Sequence, residues 1–272
     1  MVAAGLAAAF LVACGGGGDS VAQPTAKALT ISVYGKPLVS ASSGATAHAQ
    51  LAAVARAASA PATGASDAQA TVQTLQDALA ARGVTATVTA QVMDGTTLHQ
   101  IVMGVDNGLP PTPDQFKTDP SEWMVVNFKL DDMVTPASDP AQQAALAQFI
   151  QDLTVFAQRA AVSGKAVFAV RPIPTCDTEN SASAGLSSAM TQALVNGAPL
   201  RFIGEIPFGI TWDTNGNPVA SPDLAHLGAD CRTPDAYLQN LQVQSVADSI
   251  AAGYKEAAGT PSAASGASAT GT

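Results

Sequence analysis

The chain has 272 residues, 47% of them hydrophobic, which suffices for one large domain with a sizeable core. Its formal charge is −9 and its twelve Lys and Arg residues are scattered, so no basic patch exists to meet the phosphates of DNA or RNA, and nucleic acid is excluded as a partner. Three scattered histidines (His48, His99, His226) and three cysteines make no zinc-ligand spacing, so neither a metal nor a cofactor is expected.

The chain opens on an apolar run, MVAAGLAAAFLVAC, too short to span a bilayer but of the length of a secretory apolar region. Its last residues, Leu11-Val12-Ala13-Cys14, resemble the bacterial lipoprotein signal. That resemblance implies a signal peptide over 1–13, cleavage before Cys14, acylation of the exposed cysteine, and an envelope protein anchored by lipid on the periplasmic side of a membrane. The glycine run after Cys14 would end any helix there, and residues 14–27 read as a flexible tether. No Lys or Arg precedes the apolar run, a departure from that pattern that would be expected if the true start lay upstream of Met1. The alternative is an Ala-rich helix with a chance cysteine. With Cys14 lipidated, Cys176 and Cys231 remain, and an exported compartment permits a disulfide between them; two separate buried thiols are the other reading.

Residues 28–34, ALTISVY, form a β-rich apolar run ended by Gly35, a first buried strand. A helix is predicted over 45–58, and a second runs from an N-cap at Ser66 or Asp67 to Gly83, with Val72, Leu75 and Leu79 on one face. A second strand spans 84–93. Thr96 and Thr97 read as caps of a helix that starts there, with His99 on its surface, as His48 is on its own. The proline-rich connection 106–120 is long enough to act as a lid, although an exposed loop is the simpler reading. A third strand is predicted over 122–130. Pro140 starts a helix capped by Ser138 or Asp139, with Leu146, Phe149, Ile150, Leu153 and Phe156 on one face, and Gly164 ends it. Strand four follows at 166–174, then a helix over 183–197, strand five over 200–206, and a last helix from Thr233-Pro234 to about Gly253.

Strands and helices thus alternate, and each crossover is long enough for a parallel βαβ unit. Continuous apolar strands imply helices on both faces. The expectation is a three-layer α/β/α sandwich with a five-stranded parallel sheet of flavodoxin-like order over 28–256, and a disordered low-complexity tail over 257–272. In such sheets ligands sit beyond the carboxyl ends of the strands, so the residues after each strand are the ones to inspect.

Those residues are Gly35-Lys36-Pro37, Asp94-Gly95-Thr96-Thr97, Lys129-Leu130-Asp131-Asp132 and, before the last helix, Asp223-Leu224-Ala225-His226. In order and strand context they resemble the four blocks of the SGNH (GDSL-type) hydrolase superfamily. That resemblance implies an α/β/α esterase-like domain acting on an ester or acyl group of a small molecule, lipid or glycan. It assigns His226 as base, Asp223 as its orienting acid, Gly95 as an oxyanion amide, and Gly35 as the glycine of the nucleophile turn. Two blocks depart from the pattern. Lys36 and Pro37 stand where Asp and the nucleophilic Ser belong, and Lys129 and Asp131 stand where Gly and the oxyanion Asn belong.

Proline has no proton to yield to a base, so Pro37 cannot be a nucleophile. An ionised Asp131 would repel an oxyanion instead of donating to it. Lys36 and Asp131, on neighbouring strand ends, are expected to form an ion pair that fills the former pocket. Ser40, Ser42 and Ser43 are rescue candidates for the nucleophile, Ser40 foremost, but a serine three residues on sits about one helical turn away, roughly 5 Å, beyond hydrogen-bond reach. N-cap or linker roles are the simpler reading of all three. Arg171, ending strand four, reads as a surface ion-pair residue or as one facing the cleft toward an anionic ligand. Two functions remain: a hydrolase with an unidentified nucleophile, or a binding lipoprotein that has kept the fold and lost the reaction.

Overall fold

The computed structural model describes residues 28–41, 66–93, 95–105, 109–176 and 182–259. The predicted lipoprotein signal with Cys14, the predicted tether, the predicted helix 45–58, Ser42, Ser43 and the residues beyond 259 lie outside the described residues. Five strands form one parallel sheet: β1 (Leu29–Gly35), β2 (Ala86–Val92), β3 (Trp123–Asn127), β4 (Ala166–Val170) and β5 (Leu200–Ile203), in the order β2-β1-β3-β4-β5. This is the doubly wound order expected from the sequence. It reverses direction between β1 and β3, which sets the ligand crevice at their carboxyl ends.

The helices start where the side chains allow. Ser66 caps α1 (Asp67–Ala80) and exchanges hydrogen bonds with Gln69, and Thr97 does the same with Gln100 for the short α2 (Leu98–Met103). Asp139 caps α3 (Pro140–Val162), whose first residue is a proline that needs no amide partner. Two further helices, α4 (Ala182–Val195) and α5 (Ala236–Gly259), complete the layers. Leu75 and Leu79 of α1 pack with Val243, Val246 and Ile250 of α5 on the face presented by Ile31 and Val33. The opposite face, with Tyr34, Met124 and Val126, is covered by Phe149, Leu153 and Phe156 of α3 and Leu186 and Met190 of α4.

Three expectations are corrected. The last helix does not stop at Gly253 but continues to Gly259, so the predicted domain end at 256 falls inside it. Gly253 is no breaker there: it packs on Trp123, where a Cβ would lie 3.4 Å from the ring. The described part of the loop after α2 is no lid either, because Gln115, Phe116 and Asp119 are buried and Gln115 donates to the Ile101 carbonyl at 2.6 Å. Finally, β3 ends at Asn127, not at 130. Phe128 and Leu130 turn back into the core and leave Lys129 between them, half-buried.

Candidate active site

The first turn is set by Gly35. It has φ +93°, and a Cβ on it would stand 2.6 Å from the carbonyl oxygen of Asn127, its partner in the β1–β3 register. Only glycine tolerates both demands. The following backbone is then tied down: Lys36 N donates to Asn127 O at 2.9 Å, and Asn127 Nδ2 donates to the carbonyls of Lys36 at 2.8 Å and Pro37 at 3.4 Å. Two carbonyl acceptors fix which way the Asn127 amide faces. Its Oδ1, on a residue 2% exposed, is left without a partner among the described residues.

A cavity of about 400 Å³ opens beyond these strand ends. Pro37 and Ser40 form its wall after β1, Asn127 and Lys129 its wall after β3, and Gln239 and Gln242 of α5 face them. Ser40 is held through its amide, which donates to Gln239 Oε1 at 3.1 Å. Gln242 Nε2 is spent on the Arg171 carbonyl at 2.7 Å, and the hydroxyls of Thr175 and Ser183, also in the wall, pair at 2.9 Å. A second cavity of about 410 Å³ lies on the α2–α3 side, and Lys129 borders both. No described residue lies within ion-pair or hydrogen-bond range of its ammonium. Burial pushes that ammonium down to about 8.

His226 and Asp223, the base and orienter assigned by resemblance, do not pair as expected. His226 lies in the 3₁₀ turn Pro222–Leu227 and lines neither cavity. Its Nδ1 is 2.7 Å from Asp235 Oδ2, not from Asp223, and its ring stacks on Tyr237 at 4.3 Å. Asp223 is exposed; a 3₁₀ turn stacks residues three apart on one face, but the ring's Nδ1 is taken by Asp235 instead. Asp235 also accepts the amides of Tyr237 and Leu238, so one carboxylate caps α5 and anchors the histidine loop to it. Burial works to raise the Asp235 pKa, but the hydrogen bonds from His226 and the amides outweigh it and hold the carboxyl below its ordinary value. Among the described residues no hydroxyl touches the His226 ring.

Gly95 is exposed and lines neither cavity; the edge strand β2 ends at Val92, and the chain passes at once into the Thr97 cap of α2. Lys36 is exposed and forms no ion pair with Asp131, which borders the second cavity. The turn after β1 is locked through its backbone, which leaves the Lys36 side chain in solvent. Asp132 shapes its own loop by accepting from Val134 N at 2.7 Å and Thr135 N at 3.0 Å. Arg171 fits neither of its two readings: it lies over the Phe202 ring at 4.2 Å and donates to Ser187 at 2.9 Å. The cysteines do meet, and Cys176 and Cys231 form a disulfide with Cα atoms 5.0 Å apart.

Asn127 and Lys129 are what the sequence reading missed. The signal for Asn127 was present: an amide closing an apolar strand is a buried polar group in need of partners. Lys129 entered only as a mismatch to a glycine.

No protein-family model and no curated protein matches the chain. Solved structures do. The chain is similar to a candidate SGNH hydrolase from Slackia heliotrinireducens, with TM-score 0.47 and 16% identity over 82% of this chain and 100% of that one. It is similar to the psychrotrophic esterase EstA from a Pseudoalteromonas species, with TM-score 0.49 and 15% identity over 83% and 98%. An acetyl-xylooligosaccharide esterase from Geobacillus gives TM-score 0.45 and 11% identity over 81% and 94%. At these identities the likeness concerns the α/β/α fold.

Proposed function

We propose that this protein is an envelope lipoprotein, tethered through Cys14, whose SGNH-like domain binds a small ligand at the carboxyl ends of its strands and no longer hydrolyses it. One observation carries this reading: Pro37 stands in the cavity wall, while His226 lies outside that wall, bound to Asp235 and stacked on Tyr237. Acyl transfer needs a nucleophile within reach of its base. A histidine that anchors a loop to a helix has a structural use that requires no reaction. The disulfide supports an exported location, since such bonds persist in oxidising compartments.

The test is turnover of a short-chain chromogenic ester by the purified protein and by His226→Ala. Rates at the buffer background for both are expected; turnover that disappears in His226→Ala would overturn the non-catalytic reading. Labelled palmitate fed to expressing cells should enter the wild-type chain and not Cys14→Ser, and equal labelling of the two would remove the anchor.

A further inference from the structure

The cavity wall after β3 presents two unmet demands side by side. Asn127 Oδ1 can only accept a hydrogen bond, because the Nδ2 of the same amide is committed to two carbonyls. Lys129, two residues on, can only donate, and its charge is uncompensated. The carboxylates that line the two cavities keep their charge, but none of them forms an ion pair with Lys129 among the described residues. Asp67, in the same wall, accepts the Ala41 amide at 2.7 Å. In the second cavity Asp132 is spent on its own loop, and Asp152 is held by His99 at 3.0 Å and Gln148 at 3.1 Å. Asp131 is exposed and does not reach the ammonium.

A half-buried, unpaired ammonium and a buried, unpaired acceptor are each unfavourable by themselves. Both demands are met by one molecule that brings an anion for the lysine and an O–H for the asparagine. The same wall carries Leu38, Met133 and Ile173, which suit a hydrocarbon body, while its polar members Gln242, Thr175 and Ser183 are hydrogen-bonded within the protein. A cavity of about 400 Å³ lies within the range of small-molecule sites. Arg232 lines the same wall but already has a partner of its own, so Lys129 is the one cation of that wall without a partner among the described residues, which suits a single negative charge better than a phosphate.

We therefore propose that the cavity is a binding site for a small apolar hydroxy-carboxylate, its carboxylate on Lys129 Nζ and its hydroxyl donating to Asn127 Oδ1. This rests on the binding reading given above and names the ligand class of that same site. The pushed-down pKa of the lysine agrees with it, since an ammonium without a counter-charge loses its proton more readily and an anion restores it.

Calorimetric titration of the whole protein with three probes separates the contacts. Mandelate has the carboxylate, the hydroxyl and an apolar ring; mandelamide replaces the charge; phenylacetate lacks the hydroxyl. Mandelate is expected to bind about tenfold tighter than either analogue, the factor that one charge-assisted hydrogen bond supplies. In Lys129→Met the advantage of mandelate over mandelamide should fall to about one, and Lys129→Arg should keep most of it, with circular dichroism checking that both variants are folded. Mandelamide binding as well as mandelate, an unchanged mandelate affinity in Lys129→Met, or no saturable binding of mandelate at millimolar concentration would each overturn the proposal. The ester assay is read on the same preparations, so activity lost in His226→Ala would sink the non-catalytic reading while leaving the ligand assignment to stand or fall on the titrations.

Discussion

Asp119, where the chain enters β3, and Asn127, where it leaves, are both buried polar residues, yet their surroundings differ. Asp119 Oδ2 accepts the Tyr34 hydroxyl at 2.6 Å and the Ser32 hydroxyl at 2.9 Å, and its Oδ1 accepts the Ser121 amide at 2.8 Å. Lys165 Nζ donates to the carbonyls of Asp119 and Ser121. Burial alone would raise the Asp119 pKa, but these hydrogen bonds outweigh it and hold the carboxyl below its ordinary value. The Tyr34 phenol is pushed up, first by burial and then by its bond to the carboxylate. At the leaving end, Asn127 Oδ1 has no partner among the described residues, and burial pushes the half-buried Lys129 ammonium down to about 8. A polar network with every group met fixes a unique packing, whereas groups left open in a buried site wait for something outside the chain. The entering end of the sheet is closed on itself, and the leaving end is where the proposed ligand would be met.

That contrast can be broken at either end. The largest effect is expected at the leaving end, which is clamped covalently where its side-chain network is open. The disulfide spans 55 residues of sequence and ties the segment after β4 to the loop that carries His226 and Pro234. Replacing Cys176 and Cys231 together by serine frees that loop in the unfolded chain and should lower unfolding stability by about 4 kcal/mol in urea denaturation. A loss below about 1 kcal/mol would mean that packing around Leu227 and Leu238 holds this end unaided. Next comes Asp119→Ala, which strands the Tyr34 hydroxyl and the Ser121 amide and leaves the Ser32 hydroxyl with that of Ser121 alone, with an expected loss of about 2–3 kcal/mol. Because the folded carboxyl titrates below its unfolded value of about 3.9, the stability it contributes is present above that pH and drains away as pH falls beneath it. Asp119→Ala should therefore flatten the acid limb of the pH–stability curve.

The layers were legible in the sequence because they are written in period and punctuation. ALTISVY reads as a buried strand, Ser66 and Gln69 as a capping box, and Asp139-Pro140 as a helix start, and each forms where local chemistry puts it. The site was legible only as a location. That the chain after β1 and β3 borders a cavity follows from strand order; which groups meet there depends on register, which spacing does not encode. Asp223 and His226 stand at a triad-like interval, but the turn they occupy points the ring nitrogen to Asp235, nine residues away. Asp131 matched the position of an asparagine, while the buried asparagine was Asn127, four residues earlier, where β3 actually ends. Successive residues of a strand face opposite sides, so which side chains enter the crevice depends on where the strand stops, a point that spacing alone leaves open.

The smallest effect has the opposite sign, and this is what makes it the sharper test of the two ends. Removing a satisfied group such as Asp119 destabilises, but removing an open one should not. Lys129→Met replaces an unpaired ammonium by an apolar chain of similar length beside Phe128 and Leu130, and a gain of about 1 kcal/mol at pH 7 is expected, discounted for the exposure the side chain retains. The wild type should recover that difference at alkaline pH. Its folded lysine titrates near 8 against about 10.4 in the unfolded chain, so between those values the unfolded state binds more protons and stability rises with pH. Denaturation midpoints of the two proteins should converge between pH 8 and 10. If Lys129→Met instead loses stability at pH 7, the ammonium has a partner within the fold and the leaving end is as closed as the entering one.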